Sequence, residues 1–164
     1  LEIVKLSKEN IEEATELANS VFPHDSEGEH NPSKVFRSIL KPEKYKEYRK
    51  KRKILESYVA IDNSGKIVGV TGFYRRTWEK KGIVWLGWFC VDLKERGKGY
   101  GKELLIWTME KLKQDGFAVL KLWTTEDPNE NIAQRLYDSL GLKIISRGRR
   151  PGIEYKVLYR AKKL

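Results

Sequence analysis

The chain has 164 residues, enough for one domain spanning 1–164, and 40% of them are hydrophobic, enough to furnish one core. Its longest apolar run, residues 83–91, falls far short of the ~20 residues a membrane-spanning helix needs. A net charge of +10 favours an anionic partner, and a single cysteine, Cys90, rules out an intramolecular disulfide and suits a reducing, cytoplasmic setting.

Residues 2–6 alternate apolar and polar as a short strand does, and the first residues carry no signal-peptide pattern. Ser7 is placed to cap a helix over 8–19 whose apolar face is Ile11, Ala14, Leu17, Ala18 and Val21. Residues 22–33 form a polar loop rich in helix breakers. Val35, Phe36, Ile39 and Leu40 define the next helix face, and after Pro42 a basic helix is expected to run to Leu55. A hairpin turning at residues 63–65 follows. Residues 82–92 are apolar on both faces, which predicts a central strand. A helix over 99–114, a strand over 117–125 and a helix over 130–140 come next, with Gly141 as the C-terminal cap. Strands over 142–147 and 153–159 close the chain. No internal repeat or linker divides it.

Charge is unevenly spread. Residues 41–53 hold eight basic and two acidic residues, and residues 143–163 hold eight basic residues against Glu154. Both segments fit a nucleotide cofactor, a nucleic acid or an acidic substrate, and equally a merely soluble surface. In residues 45–53 aromatics alternate with basic residues, as on some RNA-binding surfaces; only weak nucleic-acid binding is expected of them.

The segment "RGKGYGK", Arg96 to Lys102, lies between the central strand and a helix. It is not a Walker A loop, because Arg96 stands where that motif has its first glycine. It is not a dinucleotide fingerprint, because Lys102 stands at the third glycine position. Its chemistry is still that of an anion site. The unpaired amides and positive dipole of a helix start favour phosphate. Gly97, Gly99 and Gly101 permit positive φ and close approach, and Arg96, Lys98 and Lys102 add charge. A tight strand-to-helix turn with solvated lysines is the plainer reading.

Downstream, "NIAQRLYDSLGL" places Ala133 and Tyr137 on one helix face. With "VDLKERGKGYG" before it, the sequence resembles the GNAT acetyltransferase superfamily from about residue 3 to 158. The resemblance implies an α/β fold: a mixed, mainly antiparallel sheet of about seven strands flanked by four helices. It implies that acetyl-CoA is the acyl donor and that no metal is required. Arg96, Gly97, Lys98, Gly99, Tyr100, Gly101 and Lys102 would wrap the pyrophosphate. The backbone of Phe89, Cys90 and Val91 would pair with the pantetheine arm where the fourth and fifth strands part. Gly87 would help the strand bend there, or only relieve crowding. Tyr137 would protonate the departing thiolate, or simply pack. The family's asparagine position is Glu130 here; Asn131 or Asn129 would take over its contact, or serve as a helix cap.

The resemblance leaves the general base open. Glu79, Glu126 and Asp127 are candidates, and each also reads as an ordinary surface acid; Asp92 more plainly orders the glycine turn. Cys90 lacks an activating neighbour in sequence, so it reads as a buried strand residue rather than a nucleophile. His24 and His30 flank an acidic stretch without a zinc spacing. The acceptor, a protein N-terminus, lysine or small amine, is expected to be chosen by residues 22–54, with Trp78, Trp85 and Trp88 as pocket wall or core. The reading from a different class is a non-catalytic module that binds coenzyme A for regulation, or nucleic acid. Monomer and homodimer are both compatible with the sequence.

Overall fold

The computed structural model describes residues 1–50 and 52–164. Its elements run β1 (Glu2–Lys5), α1 (Ile11–Val21), α2 (Pro32–Leu40), β2 (Arg52–Ile61), β3 (Ile67–Arg76), β4 (Ile83–Leu86), β5 (Cys90–Val91), α3 (Tyr100–Gln114), β6 (Val119–Thr125), α4 (Asn131–Ser139), β7 (Lys143–Gly148) and β8 (Val157–Lys163). The sheet order is β1-β2-β3-β4-β6-β8-β7, with β5 paired to β3. Every pairing is antiparallel except β4 with β6. This is the expected mixed α/β sheet with four helices, with eight strands rather than about seven.

The extra strand arises because the predicted central strand breaks. β4 ends at Leu86, and pairing to β3 resumes only at Cys90. At the break, the Gly87 amide donates to the Gly72 carbonyl at 2.7 Å. A side chain at 87 would have its Cβ 3.3 Å from that same oxygen, so the bend and the relief of crowding are one feature.

The helices cover both faces. Ile11, Ala14 and Leu17 of α1 and Phe36 of α2 pack with Val59, Ile67 and Val70. On the opposite face Leu105 and Leu112 of α3 and Tyr137 of α4 pack with Phe73, Val84, Leu120 and Leu122. Each leucine so buried contributes about 1.5–3 kcal/mol. Thr71 and Thr108 satisfy each other's hydroxyls at 2.9 Å across β3 and α3, so neither polar group is stranded in that core.

Three expectations are corrected. The basic helix does not form: residues 42–50 are turns, and β2 already begins at Arg52. Arg49 pins those turns by donating to the Ser38 and Ile54 carbonyls, both at 2.6 Å. Buried Ile54, packed with Tyr74 and Trp85, then holds the chain in register with β3. Lys51, part of the expected helix, lies outside the described residues. The first helix starts at Ile11 rather than 8, because Asn10 folds back to accept the Ser7 amide at 2.8 Å and residues 8–10 form a turn. The last strand runs over Val157–Lys163, later than expected, because the loop through Gly152, at φ 77°, is longer than a tight hairpin turn.

Arg160 on β8 is 2% exposed. It donates to Gln134 Oε1 at 3.0 and 2.7 Å, to Asp138 at 2.6 Å and to the Leu142 carbonyl at 2.7 Å. It therefore ties α4 to the sheet from beneath. Arg160→Ala removes the donors and leaves a buried carbonyl and amide oxygen unpaired. It is expected to lower the unfolding free energy by about 3 kcal/mol, read from urea denaturation.

Candidate cofactor and catalytic site

The glycine turn is ordered by acids and lysines. Asp92 accepts the Lys94 amide at 2.9 Å and pairs with Lys66 at 2.8 Å. Lys66 also reaches Glu95 at 3.3 Å, and Lys98 pairs with Glu95 at 2.5 Å. The hydrogen bond from Lys98, then that from Lys66, holds the Glu95 carboxyl below its ordinary range. Lys98, its side chain still exposed, is thus paired within the turn. Arg96 and Lys102 are exposed. Lys66 was missed: it lies in the β2–β3 turn, and nothing in its local sequence connects it to residue 92.

Gly97 and Gly99 have φ of 82° and 85°. A Cβ at either would meet nothing within 4 Å, so it is backbone conformation, not crowding by this chain, that demands glycine. Beyond Gly99 the first helical bond is from the Glu103 amide to the Gly99 carbonyl, at 3.1 Å. The amides of Tyr100, Gly101 and Lys102 precede that bond and carry the positive end of α3. Gly101 lies where a Cβ would sit 3.5 Å from Leu136 and 3.7 Å from Val91, so the start of α3 meets the second half of α4 and the end of β5.

The strand break opens the sheet beside this turn. β4 pairs with β6 only from Ile83 to Trp85, opposite Val119 to Lys121. β5 pairs with β3 alone, Val91 opposite Gly69 and Cys90 opposite Val70. Its other edge has no ladder partner among the described residues. Phe89 and Val91 are half-buried, and Cys90 is buried.

Across the opening stands Tyr137, 7% exposed. Its ring lies 6.5 Å from Phe89 and 5.9 Å from the Arg160 guanidinium. Among the described residues its hydroxyl has no hydrogen-bond partner, yet it is not one of the fully occluded polar atoms. Burial and then the Glu130 charge push the phenol pKa upward, against Arg160, so it stays protonated at neutral pH. Below the helix, Gly141 at φ 76° lets the Gly141 and Leu142 amides bond the Asp138 and Tyr137 carbonyls at 3.0 and 2.9 Å.

Asn131 is the first residue of α4, and its side chain is exposed, like that of Asn129. Neither acts as the cap. Asp127 instead caps the short 3-10 turn over 128–130, accepting the Asn129 amide at 2.9 Å, and α4 itself starts without a side-chain cap. Half-buried Glu130 accepts from the Thr125 amide at 3.1 Å and from its hydroxyl at 2.6 Å. Burial pushes its carboxyl above the ordinary range, against those bonds. The sequence marked Glu130 only as a departure from a motif.

The other acids are engaged. Glu79 accepts from Lys121 at 2.7 Å and from the Trp85 indole. Burial works to raise its carboxyl, but those bonds outweigh it and hold it low. Glu126 is exposed and 3.9 Å from Arg147. His30 bonds the Tyr48 hydroxyl at 2.8 Å, and its carbonyl accepts from the Trp88 indole at 3.1 Å. Phe22 packs on Trp88 at 5.1 Å, so residues 22–30 lie against the strand break. Trp85 is core, whereas Trp78 is 69% exposed.

The sequence matches the Acetyltransferase (GNAT) family over residues 12–142, a span that holds the glycine turn, the split strand and the α4 tyrosine. The chain belongs to that family. No curated protein sequence matches it. Solved structures of GNAT-type enzymes superpose over almost its whole length. An aminoglycoside 6'-N-acetyltransferase complexed with coenzyme A has a TM-score of 0.69 at 16% identity, covering 99% of this chain and 97% of its own. A Salmonella typhimurium acetyltransferase with acetyl-CoA scores 0.71 at 18% identity, covering 99% and 92%. The ribosomal-protein-S18-alanine N-acetyltransferase of Escherichia coli scores 0.66 at 17% identity, covering 99% and 92%. At these identities the likeness is one of GNAT fold.

Cys90 lies inside this GNAT core, where burial pushes its thiol up to about 12. It should resist alkylation by iodoacetamide at pH 8 in the native protein and react fully in denaturant, as read by mass spectrometry.

Proposed function

We propose that the chain moves an acetyl group from acetyl-CoA to a primary amine by direct attack in a ternary complex. The observation that carries this reading is Tyr137, only 7% exposed beside the open edge of β5, its hydroxyl without a hydrogen-bond partner among the described residues. The residues fit the donor. Gly97 and Gly99 leave a concave backbone with open space where side chains would stand, and the first amides of α3 point the helix dipole into it. Arg96, Lys98 and Lys102 flank that cradle, and Lys98 would have to share Glu95 to reach a phosphate. Backbone groups of Phe89, Cys90 and Val91 would hold the pantetheine arm and polarise the thioester carbonyl. Asn131, at the exposed start of α4, or Asn129 just before it would contact that arm.

Tyr137 would donate its proton to the departing sulfur. The raised phenol pKa suits a donor, because the group arrives at the reaction protonated. Cys90 would take no covalent part, being buried and hard to ionise. Residues 1–164 would act as one unit in a cytoplasmic setting. Nucleic-acid binding is left with less support than the sequence offered, because Tyr48 and Arg49 of the basic segment are spent on internal bonds. Weak, salt-sensitive association of the remaining lysines and Arg52 is expected.

Two outcomes test this reading. Acetyl-CoA should raise the melting temperature, and free coenzyme A should be released with at least one member of a panel of peptides and amines, with acetylated product seen by mass spectrometry. Tyr137→Phe should then lower kcat by about 10²-fold while the acetyl-CoA dissociation constant changes little. An unchanged kcat with chemistry rate-limiting would make Tyr137 a packing residue.

Gly99→Val addresses the cradle. A β-branched residue at φ 85° costs on the order of 1–3 kcal/mol and fills the space above the turn. Acetyl-CoA affinity, measured by calorimetry, should fall at least about 10-fold while the far-UV spectrum is retained.

A further inference from the structure

We infer that Glu130 is the general base, and that with Asp25 it forms a slot for a primary amine arriving as its ammonium cation. The inference rests on the acetyl transfer proposed above and names the acceptor side of that site.

Position comes first. Glu130 precedes Tyr137 by seven residues, about two helical turns, on the face that carries Tyr137. Its carboxylate is fastened to Thr125, the last residue of β6, the strand that bounds the opening. Each carboxylate oxygen accepts one bond there and keeps a second lone pair. From the other side, Phe22 on Trp88 and the Trp88 bond to the His30 carbonyl dock residues 22–30 against the strand break. Asp25 lies in that segment, and its charge acts on Glu130, as does that of Asp127 in the same turn. Asp25, Asp127, Thr125 and Tyr137 are the charged, polar and titratable groups facing Glu130 from the elements around it.

Charge balance comes second. The chain carries +10 overall, and four of its half-buried acids are ion-paired: Glu56 with Lys5, Glu79 with Lys121, and Asp92 and Glu95 with Lys66. Among the described residues Glu130, Asp25 and Asp127 have no such cation. A half-buried carboxylate left unpaired in a protein this rich in lysine is a position for a cation that the chain does not supply. The Tyr137 hydroxyl, in a side chain only 7% exposed and two helical turns from Glu130, has no hydrogen-bond partner among the described residues.

The chemistry balances. Glu130 takes one proton from the ammonium and passes it to solvent. The freed nitrogen pair forms the bond to the acetyl carbon while the carbon–sulfur bond breaks and its electron pair goes to sulfur. Tyr137 gives its proton to that sulfur and recovers one from the acetylated nitrogen. The raised Glu130 carboxyl is a stronger base than an exposed glutamate, yet still weaker than the amine, so it serves by proximity.

The test uses the intact chain with spermidine, a lysine-containing peptide and a peptide with a free N-terminus as probes. Glu130→Gln keeps an oxygen for the Thr125 amide, so it should fold and bind acetyl-CoA with an affinity within about threefold of wild type. Its kcat with the best probe should fall about 10²-fold, and the acidic limb of kcat/KM that belongs to the protein should vanish. Asp25→Asn removes a neighbouring negative charge. It should lower the Glu130 pKa, shift that limb to lower pH, and raise KM most for spermidine. An active wild type with Glu130→Gln equally active, with the limb intact, or with its loss matched by lost acetyl-CoA affinity would overturn this inference alone. A wild type that binds acetyl-CoA and acetylates no probe would overturn the proposed function and this inference with it.

Discussion

The site depends on two glycines lying back to back in neighbouring strands. Gly87 bonds Gly72 at 2.7 Å, and Gly72 in turn is pressed on Ser57, whose Oγ would be 2.4 Å from a Cβ at 72. A side chain at 72 would displace the Ser57 hydroxyl, and one at 87 would crowd the Gly72 carbonyl where the chain bends. Because it does bend, the ladder to β6 stops after Trp85, and the outer edge of β5 is left open. A sheet edge of this kind is normally a liability. Here it is interior to the fold, flanked by Phe89 on one side and Tyr137 on the other, so it is a groove rather than an aggregation surface.

A groove is useful only if its far wall is fixed, and that wall is α4. Nine residues of helix have little stability of their own. Arg160 supplies what local propensity does not, binding Gln134, Asp138 and the Leu142 carbonyl from beneath. Gln134 passes the connection on to Thr124 and Thr125 at 3.2 and 2.8 Å. Glu130 closes the same circuit through Thr125. The orientation of Tyr137 is therefore set by the last strand of the chain as much as by its own helix.

Local signals made most of the fold legible. The α3 stripe of Leu104, Leu105, Thr108 and Leu112 is buried as its spacing implies, and the hairpin turns where Asn63 to Gly65 predicts. Errors fell where distant contacts decide. Residues 42–50 carry helix-forming charge, but Arg49 is captured by carbonyls on both sides, and the strand beyond pairs with β3. The strand over 82–92 reads as continuous because its break is a matter of two glycines meeting across strands. In the site, the glycine turn and Tyr137 were visible because they lie in contiguous motifs. Lys66, Arg160 and the engagement of Lys98 with Glu95 were not, since each depends on a partner chosen by folding.

The uncommitted charges that lie beside the groove are sorted along it. At the α3 end stand Arg96, Lys102 and the first amides of a helix. At the β6–α4 end stand Glu130, Asp127 and, from the facing loop, Asp25. Between them the walls are Phe89, Cys90 and Tyr137, none of which is charged at neutral pH. A groove positive at one end, negative at the other and apolar between favours two ligands meeting in the middle, one bringing phosphates and the other a cation. Neither end gains from exchanging its ligand, because the same charge that attracts one repels the other. The excess of lysine and arginine over the rest of the surface then raises the concentration of the phosphate-bearing ligand close to it. The local acids act only at short range, on an amine already in the slot, because screening removes their influence beyond about 8 Å at physiological salt.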